Sequence, residues 1–120
     1  MKLINKSQTF LLFCFLLITY LAFFKLGEAP LDNWDEAWYG EVTKQMLRTG
    51  EFIVLNWNHA TWLDKPPMYM WLSALVSSVI GLSEFSVRFT SALSGVITVM
   101  LIVWYTQKNY GFIPAILAFS

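Results

Sequence analysis

Charged residues are scarce in this sequence: they make up 13% of it, whereas hydrophobic residues make up 57%. That balance lies outside the range of ordinary soluble domains and inside that of membrane proteins. The formal net charge is zero, and the lack of a basic excess argues against a nucleic-acid partner. Cysteine is nearly absent, and the single Cys14 excludes an internal disulfide. His59 is the only histidine, and a lone histidine is more often a surface or structural residue than a metal ligand or proton carrier.

Long apolar segments indicate how the chain crosses a membrane. Residues 9–26, 66–82 and 87–105 are each long enough to span a bilayer core at about 1.5 Å per residue. A further apolar run begins at residue 112 and continues to Ser120. We therefore predict an all-α integral membrane protein with three full transmembrane helices plus the start of a fourth. Because the last run covers about half a span, we expect residues 1–120 to be the N-terminal part of a longer protein.

The basic residues predict an orientation. Lys2 and Lys6 precede the first apolar segment, so the positive-inside tendency places the N-terminus in the cytoplasm and the loop 27–65 outside. Arg88, near the start of the third segment, fits a cytoplasmic end in that scheme. A cleaved signal peptide is the alternative, since residues 27–29 form a small-x-small site after an apolar stretch. The proline that would follow the cut and the later apolar segments count against it.

The external loop gathers most of the acidic residues, since seven of the chain's eight carboxylates lie between residues 27 and 65. Within it, Asn33 followed by Glu36 resembles a capping box, and Gly50 is typical of a helix end. We therefore predict a helix over residues 35–49. Side chains spaced three and four apart give it a mostly apolar stripe, which indicates an amphipathic helix lying at the membrane surface; the stripe consists of Asp35, Trp38, Tyr39, Val42 and Met46.

The loop ends in a pattern that favours anion binding. Lys65 precedes Pro66 and Pro67, which suit the first turn of a helix, so an ammonium group and the positive end of a helix dipole are expected together. Such a site attracts a phosphate. Asp35 supplies a potential general base in the same loop, a combination that suits a reaction on a lipid-linked phosphate ester. A solvated acidic loop without chemistry is the alternative.

Several short motifs occur in a characteristic order: Asp-Glu-Ala-x-Tyr at 35–39, Met46, Gly-Glu-Phe at 50–52, Lys-Pro-Pro-Met-Tyr-x-Trp-Leu at 65–72 and Gly-x-Ser-Glu-Phe-x-x-Arg at 81–88. Each motif alone is weakly specific, but their order and spacing together are more so. From about Asp32 to Ser120 the chain resembles the start of the polyprenyl-phosphate-sugar-dependent membrane glycosyltransferases of the GT-C superfamily. That group includes protein O-mannosyltransferases and the bacterial transferase that adds aminoarabinose to lipid A.

The resemblance implies an enzyme of the plasma (inner) membrane that moves a sugar from a polyprenyl-phosphate donor to an extracytoplasmic lipid, glycan or protein. It implies Asp35 as the catalytic carboxylate, Glu36 as its supporting neighbour, and Lys65 and Tyr39 as substrate-binding residues. Asp64 falls where some bacterial members have a glutamate that helps hold a divalent metal ion, and its side chain is one methylene shorter. An inactive fragment of such an enzyme and a small membrane interaction protein are the alternatives left open.

Overall fold

The computed structural model describes residues 6–58 and 60–119. This part of the chain forms the helices α1 (Lys6–Phe23), α2 (Asp35–Thr49), α3 (Met68–Ile80), α4 (Glu84–Tyr110) and α5 (Phe112–Phe119), and the strands β1 (Asn56–Trp57) and β2 (Ala60–Thr61). The two strands pair antiparallel, and the sequence analysis did not predict them. The predicted mostly helical architecture is confirmed. The contacts divide the described residues into two compact units, one within residues 25–91 and the other formed by residues 6–24 and 92–119.

Two helices in the described part are long and apolar enough to cross a membrane. They are α1, with 18 residues, and α4, with 27 residues. They correspond to the predicted spans 9–26 and 87–105, and α5 begins at residue 112, where the fourth apolar run was predicted to start. Lys2, which contributes to the predicted orientation, lies outside the described residues.

The predicted span 66–82 is not confirmed. Helix α3 has 13 residues, so it is about 20 Å long, whereas a bilayer core is about 30 Å thick. Its limits have local causes. Pro67 stands at the N-cap and lacks an amide hydrogen, and Gly81 ends the helix with a φ of 89°, which an L side chain rarely adopts. The described residues therefore contain two helices of spanning length, and the third full span remains unconfirmed.

Helix α2 has the predicted bounds, and Gly50 ends it with a φ of 72° and an amide that donates to the carbonyl of Met46. Its predicted capping by Asn33 is wrong. The residue at the N-cap is Trp34, whose side chain makes no capping hydrogen bond. The Glu36 carboxylate instead accepts a hydrogen bond of 3.0 Å from the amide of Asp32, which lies in the turn before the helix.

The apolar stripe of α2 packs on α3. Its buried centre is formed by Val42, Met46, Met70 and Ala74, with Leu55 and Trp62 added from the intervening loop. Burial of such side chains contributes about 25 cal/mol for each Å² removed from water, so this contact is a main source of stability for residues 25–91. The centre of the stripe is thus covered by protein, and the prediction that α2 lies on a membrane surface is not confirmed.

The start of α4 is fixed by serines and by a close backbone approach. The amide of Ser83 donates to Ser86 Oγ at 2.9 Å and the amide of Ser86 donates to Ser83 Oγ at 3.2 Å, a reciprocal cap. Ser77 of α3 donates to the same Ser86 oxygen at 2.9 Å. A Cβ placed on Gly27 would lie 2.9 Å from Cβ of Phe85, so only glycine allows the loop after α1 to approach α4 this closely. These contacts account for part of the motif at 81–88.

The other unit has a small apolar core of its own. Cys14 is fully buried there with Val103 and Ala115. The rings of Phe10 and Phe112 meet edge to face with centroids 4.9 Å apart. Cys14 is a free thiol among apolar neighbours, as its position within an apolar run predicts.

Candidate functional site

Asp35 and Lys65 meet at the junction of α2 with the loop that leads into α3. Lys65 Nζ lies 3.5 Å from Asp35 Oδ2. The side chain of Lys65 is 40% exposed and that of Asp35 is 56% exposed, so a ligand in solvent can reach both. Exposed ion pairs contribute about 0–1 kcal/mol to stability, which means that the fold does not depend on this pair. The structure thus brings the predicted base and the predicted phosphate ligand together.

Tyr39 joins the pair from the next turn of α2. The negative charge of the Asp35 carboxylate is the main cause that raises the pKa of Lys65 above its ordinary value of 10.5, and the neighbouring Tyr39 contributes next. Lys65 therefore keeps its positive charge throughout the physiological pH range. Asp35, Tyr39 and Lys65, three of the predicted site residues, form one cluster.

Aromatic rings hold Tyr39 in place. Its ring packs against Tyr69 with centroids 4.8 Å apart and against Trp62 at 6.5 Å. Tyr69 is anchored in turn, because its hydroxyl donates to the carbonyl of Val87 at 2.7 Å. Tyr69 was not predicted as a site residue, although it lies in the motif at 65–72 that carried the resemblance. Its place in that motif was the available signal.

Glu36 has different partners from its neighbour Asp35. Its carboxylate accepts hydrogen bonds from Arg88 Nε at 3.1 and 3.2 Å and from Arg88 Nη2 at 2.7 Å. These bonds, and then the bond from the Asp32 amide, lower the pKa of Glu36 below its usual 4.5. The Glu36 carboxylate is therefore ionised and occupied by Arg88, which suits support of the site rather than proton transfer.

Arg88 was missed as a member of this region because its charge was interpreted as a sign of topology. Besides Glu36 it contacts three backbone carbonyls in the loop after α1: Nη1 donates to Leu26 and Ala29, and Nη2 donates to Pro30. Arg88 therefore lies beside the loop 27–65. The predicted position of Arg88 at a cytoplasmic end is therefore not confirmed, because α3 is shorter than a bilayer core is thick.

Asp64 lines an open cavity of about 400 Å³ next to the cluster. The remaining lining residues are Ile53, Leu55, Trp62, Leu63, Lys65, Pro66 and Pro67. Across residues 6–58 and 60–119, no group of three or more His, Cys, Asp or Glu side chains is arranged to hold a metal ion. His59 lies outside these residues. Asp64 alone does not make a metal site, so its role as a metal ligand stays a prediction.

The chain is similar to several known proteins. The family model described as dolichyl-phosphate-mannose-protein mannosyltransferase matches residues 64–119. An uncharacterized protein of Aquifex aeolicus (strain VF5) is 40% identical over 100 residues, which cover 82% of this chain and 24% of the relative. The undecaprenyl phosphate-alpha-4-amino-4-deoxy-L-arabinose arabinosyl transferase of Aeromonas salmonicida (strain A449) is 32% identical over 94 residues, covering 78% of this chain and 17% of the relative. The predicted resemblance to the GT-C glycosyltransferases is confirmed.

The similarity extends to further transferases of the same name. The one from Yersinia pestis (strain Pestoides F) is 30% identical over 104 residues, covering 87% of this chain and 18% of the relative. The chain thus spans between about a sixth and a quarter of the length of these relatives. No solved structure matches the chain. Together with the apolar helices α1 and α4, the GT-C similarity identifies an integral membrane protein.

Proposed function

We propose that this chain is the N-terminal part of a glycosyltransferase that moves a sugar from a polyprenyl-phosphate donor to a lipid, glycan or protein acceptor on the extracytoplasmic face of the plasma (inner) membrane. One observation carries the proposal: Lys65 Nζ and Asp35 Oδ2, distant in sequence, lie 3.5 Å apart at a solvent-exposed junction of two helical segments. One bound donor can therefore lie next to both groups: Lys65 as the positive group for its phosphate, and Asp35 as the base for the acceptor hydroxyl.

Lys65 is assigned to the donor's phosphate. Transfer breaks the bond between the anomeric carbon and the phosphate oxygen, and negative charge grows on the departing polyprenyl phosphate. The Lys65 ammonium, together with the amides at the start of α3, stabilises that charge. Tyr39 borders Lys65 and is assigned a binding role toward the same phosphate. The apolar side chains of the adjacent cavity offer a surface for the first part of the lipid.

Asp35 is assigned to the acceptor. An acceptor hydroxyl attacks the anomeric carbon as its proton passes to the Asp35 carboxylate, while the electron pair of the broken bond leaves with the phosphate. At 56% exposure, the Asp35 side chain is accessible to an acceptor that approaches from solvent. Glu36, held by Arg88, supports Asp35 from the next position in α2.

The proposed orientation places the N-terminus in the cytoplasm and the site outside. Lys6 at the start of α1 supports it through the positive-inside tendency. With α1 and α4 as the spans, residues 25–83 lie on the outer side, which is where a lipid-linked sugar meets an extracytoplasmic acceptor. A divalent metal ion at Asp64 is also proposed on the resemblance alone, with further ligands required from elsewhere, and no reaction step is assigned to it.

The test is sugar transfer by the full-length protein in nanodiscs, measured with a radiolabelled polyprenyl-phosphate sugar. Asp35→Asn keeps the size of the side chain and removes the base, so we expect transfer to fall by about 100-fold or more. Donor binding should stay at the wild-type level or tighten, because the competing carboxylate is gone. Glu28→Gln, which removes an exposed carboxylate from the same loop, is the matched control. Near wild-type turnover of Asp35→Asn would contradict the proposed function.

A further inference from the structure

The geometry points to Arg88 as the positioning residue for Asp35. Its guanidinium joins the loop after α1, the first turn of α2 and the first turns of α4, and through Glu36 it fixes the helix turn that carries Asp35. This inference rests on the proposed function, because it assigns Arg88 a role in the same site.

The contacts of Arg88 use the whole guanidinium. Nε and Nη2 bind the Glu36 carboxylate, with the shortest distance 2.7 Å. Nη1 donates to the carbonyls of Leu26 at 3.0 Å and Ala29 at 2.7 Å, and Nη2 donates to Pro30 at 2.8 Å. The Arg88 side chain is only 15% exposed. Charge-assisted bonds in such a partly buried setting are about twice as strong as neutral ones, so this is a specific clamp.

The first turn of α2 needs that clamp. Trp34 at the N-cap makes no side-chain capping bond, so the turn lacks the usual support for its free amides. The Glu36 carboxylate instead ties this turn to the segment before it, because it accepts from the Asp32 amide at 3.0 Å while its other contacts go to Arg88. Asp35 itself is held by an exposed ion pair with Lys65. The position of the Asp35 carboxylate therefore depends on the Glu36–Arg88 contact.

The same helix carries a matched comparison. Lys44 and Glu41 of α2 form an ion pair at 3.1 Å with side chains 53% and 37% exposed. That pair joins two residues of one helix and binds no backbone carbonyl of another segment in the described part of the chain. Arg88 differs in kind, because a planar guanidinium binds a carboxylate and several carbonyls at once, which a lysine ammonium cannot reproduce.

The experiment uses the full-length protein in nanodiscs with the variants Arg88→Gln, Arg88→Lys, Glu36→Gln and the double variant, and Lys44→Gln as control. The readouts are kcat for sugar transfer, the Kd of the polyprenyl-phosphate donor, and hydrogen–deuterium exchange of the α2 amides. A displacement of about 1 Å costs roughly 100-fold in rate, so we expect Arg88→Gln to lose about that much in kcat with a far smaller change in Kd.

Four further results are expected. Arg88→Lys recovers part of the lost kcat, and the double variant is no worse than the poorer single variant, because both substitutions remove one interaction. Exchange of the amides in the first turn of α2 rises in Arg88→Gln and stays at the wild-type level in Lys44→Gln. Exchange in the α2 segment around Val42 and Met46 remains protected, which shows that the protein is folded.

The inference is overturned if Arg88→Gln and Glu36→Gln retain wild-type kcat, or if activity falls only in proportion to the folded fraction. Should Arg88→Gln fail to fold, Arg88→Lys and Glu36→Gln provide the same comparison. The two proposals fail separately. Full transfer by Asp35→Asn would contradict the proposed function without affecting the exchange result. An inactive Asp35→Asn together with a normal Arg88→Gln would contradict this inference alone.

Discussion

The hydroxyl of Tyr69 donates a hydrogen bond of 2.7 Å to the carbonyl of Val87. Tyr69 lies in the first turn of α3 and Val87 in the first turn of α4, so the beginnings of these two helices are neighbours. A chain in which α3 crossed the membrane would instead have them about 30 Å apart on opposite sides. The contact therefore favours an arrangement in which α3 stays with the loop before it and α4 is the next candidate span.

The first prediction tests that topology with introduced cysteines in a Cys14→Ser background. Thr49→Cys and Ser83→Cys should both react with a membrane-impermeant thiol reagent in intact cells, because both positions are exposed and α3 does not separate them. Asn109→Cys, near the far end of α4, should react only after permeabilisation. Labelling of Thr49→Cys without Ser83→Cys would show that α3 spans the membrane after all.

The second prediction concerns the donor's phosphate and Lys65. Lys65→Gln should weaken donor binding by about 10- to 100-fold, the range for a lost hydrogen bond to a charged group. Lys65→Arg should recover part of that affinity, since a planar fork places its charge differently. Binding of the donor to protein in nanodiscs measures both, and Lys44→Gln in the exposed ion pair of α2 is the control. Equal donor affinity for Lys65→Gln and the wild type would reduce Lys65 to a surface anchor.

The third prediction follows from the lowered pKa of Glu36, which hydrogen bonds from Arg88 cause. A carboxylate whose pKa is lower in the folded state stabilises the protein above its unfolded pKa, near 4.5, and loses that contribution as pH falls through the folded value. The stability of the wild type should therefore fall on acidification below about pH 4.5, and Glu36→Gln should show a smaller fall. Thermal unfolding midpoints between pH 3 and pH 7 provide the measurement.

The control for that experiment is Glu28→Gln, which removes a carboxylate from the exposed ion pair with Lys25. It should retain the wild-type dependence on pH. Identical pH profiles for Glu36→Gln and the wild type would contradict the role given to the Glu36–Arg88 pair in stability.

The fourth prediction concerns the close approach at Gly27. Gly27→Ala places a Cβ 2.9 Å from Cβ of Phe85, and the loop or α4 must shift to relieve the overlap. We expect a loss of about 1–3 kcal/mol, as for other overpacked sites, seen as a lower thermal unfolding midpoint. Gly95→Ala, with no atom within 4 Å of the added carbon, should be neutral or stabilising. A midpoint unchanged by Gly27→Ala would mean that the contact is easily relaxed.

Local signals explain what could be predicted from the sequence. The end of α2 followed from Gly50, which acts within the last turn of the helix, whereas its start at Asp35 was predicted from an Asn33 cap that the structure does not contain. The start of α5 at residue 112 followed from a change in hydropathy. The sequence also placed Asp35 and Lys65 in one loop, and the family motifs selected them, but the packing of α2 on α3 is what brings their charged groups to 3.5 Å.

Other features could not be predicted because their causes are distant in the chain. An apolar segment of about 17 residues fits a transmembrane span as well as a helix packed on a neighbour. One side of α3 packs on α2. Asn33 has the right spacing for a capping box. The Glu36 carboxylate instead accepts hydrogen bonds from the amide of Asp32 and from Arg88. The partner of Arg88 lies in a different helix, which charge counting at the ends of spans does not reveal.

The contact between Asp35 and Lys65 has a consequence for the order of events under the proposed roles. Before the donor arrives, each group is engaged with the other, so neither water nor an acceptor meets an unopposed carboxylate. A donor phosphate competes for the ammonium and releases the carboxylate at the moment when the anomeric carbon is in place. Binding of the donor first and of the acceptor second is the kinetic scheme that this arrangement favours, with little wasteful hydrolysis of the donor.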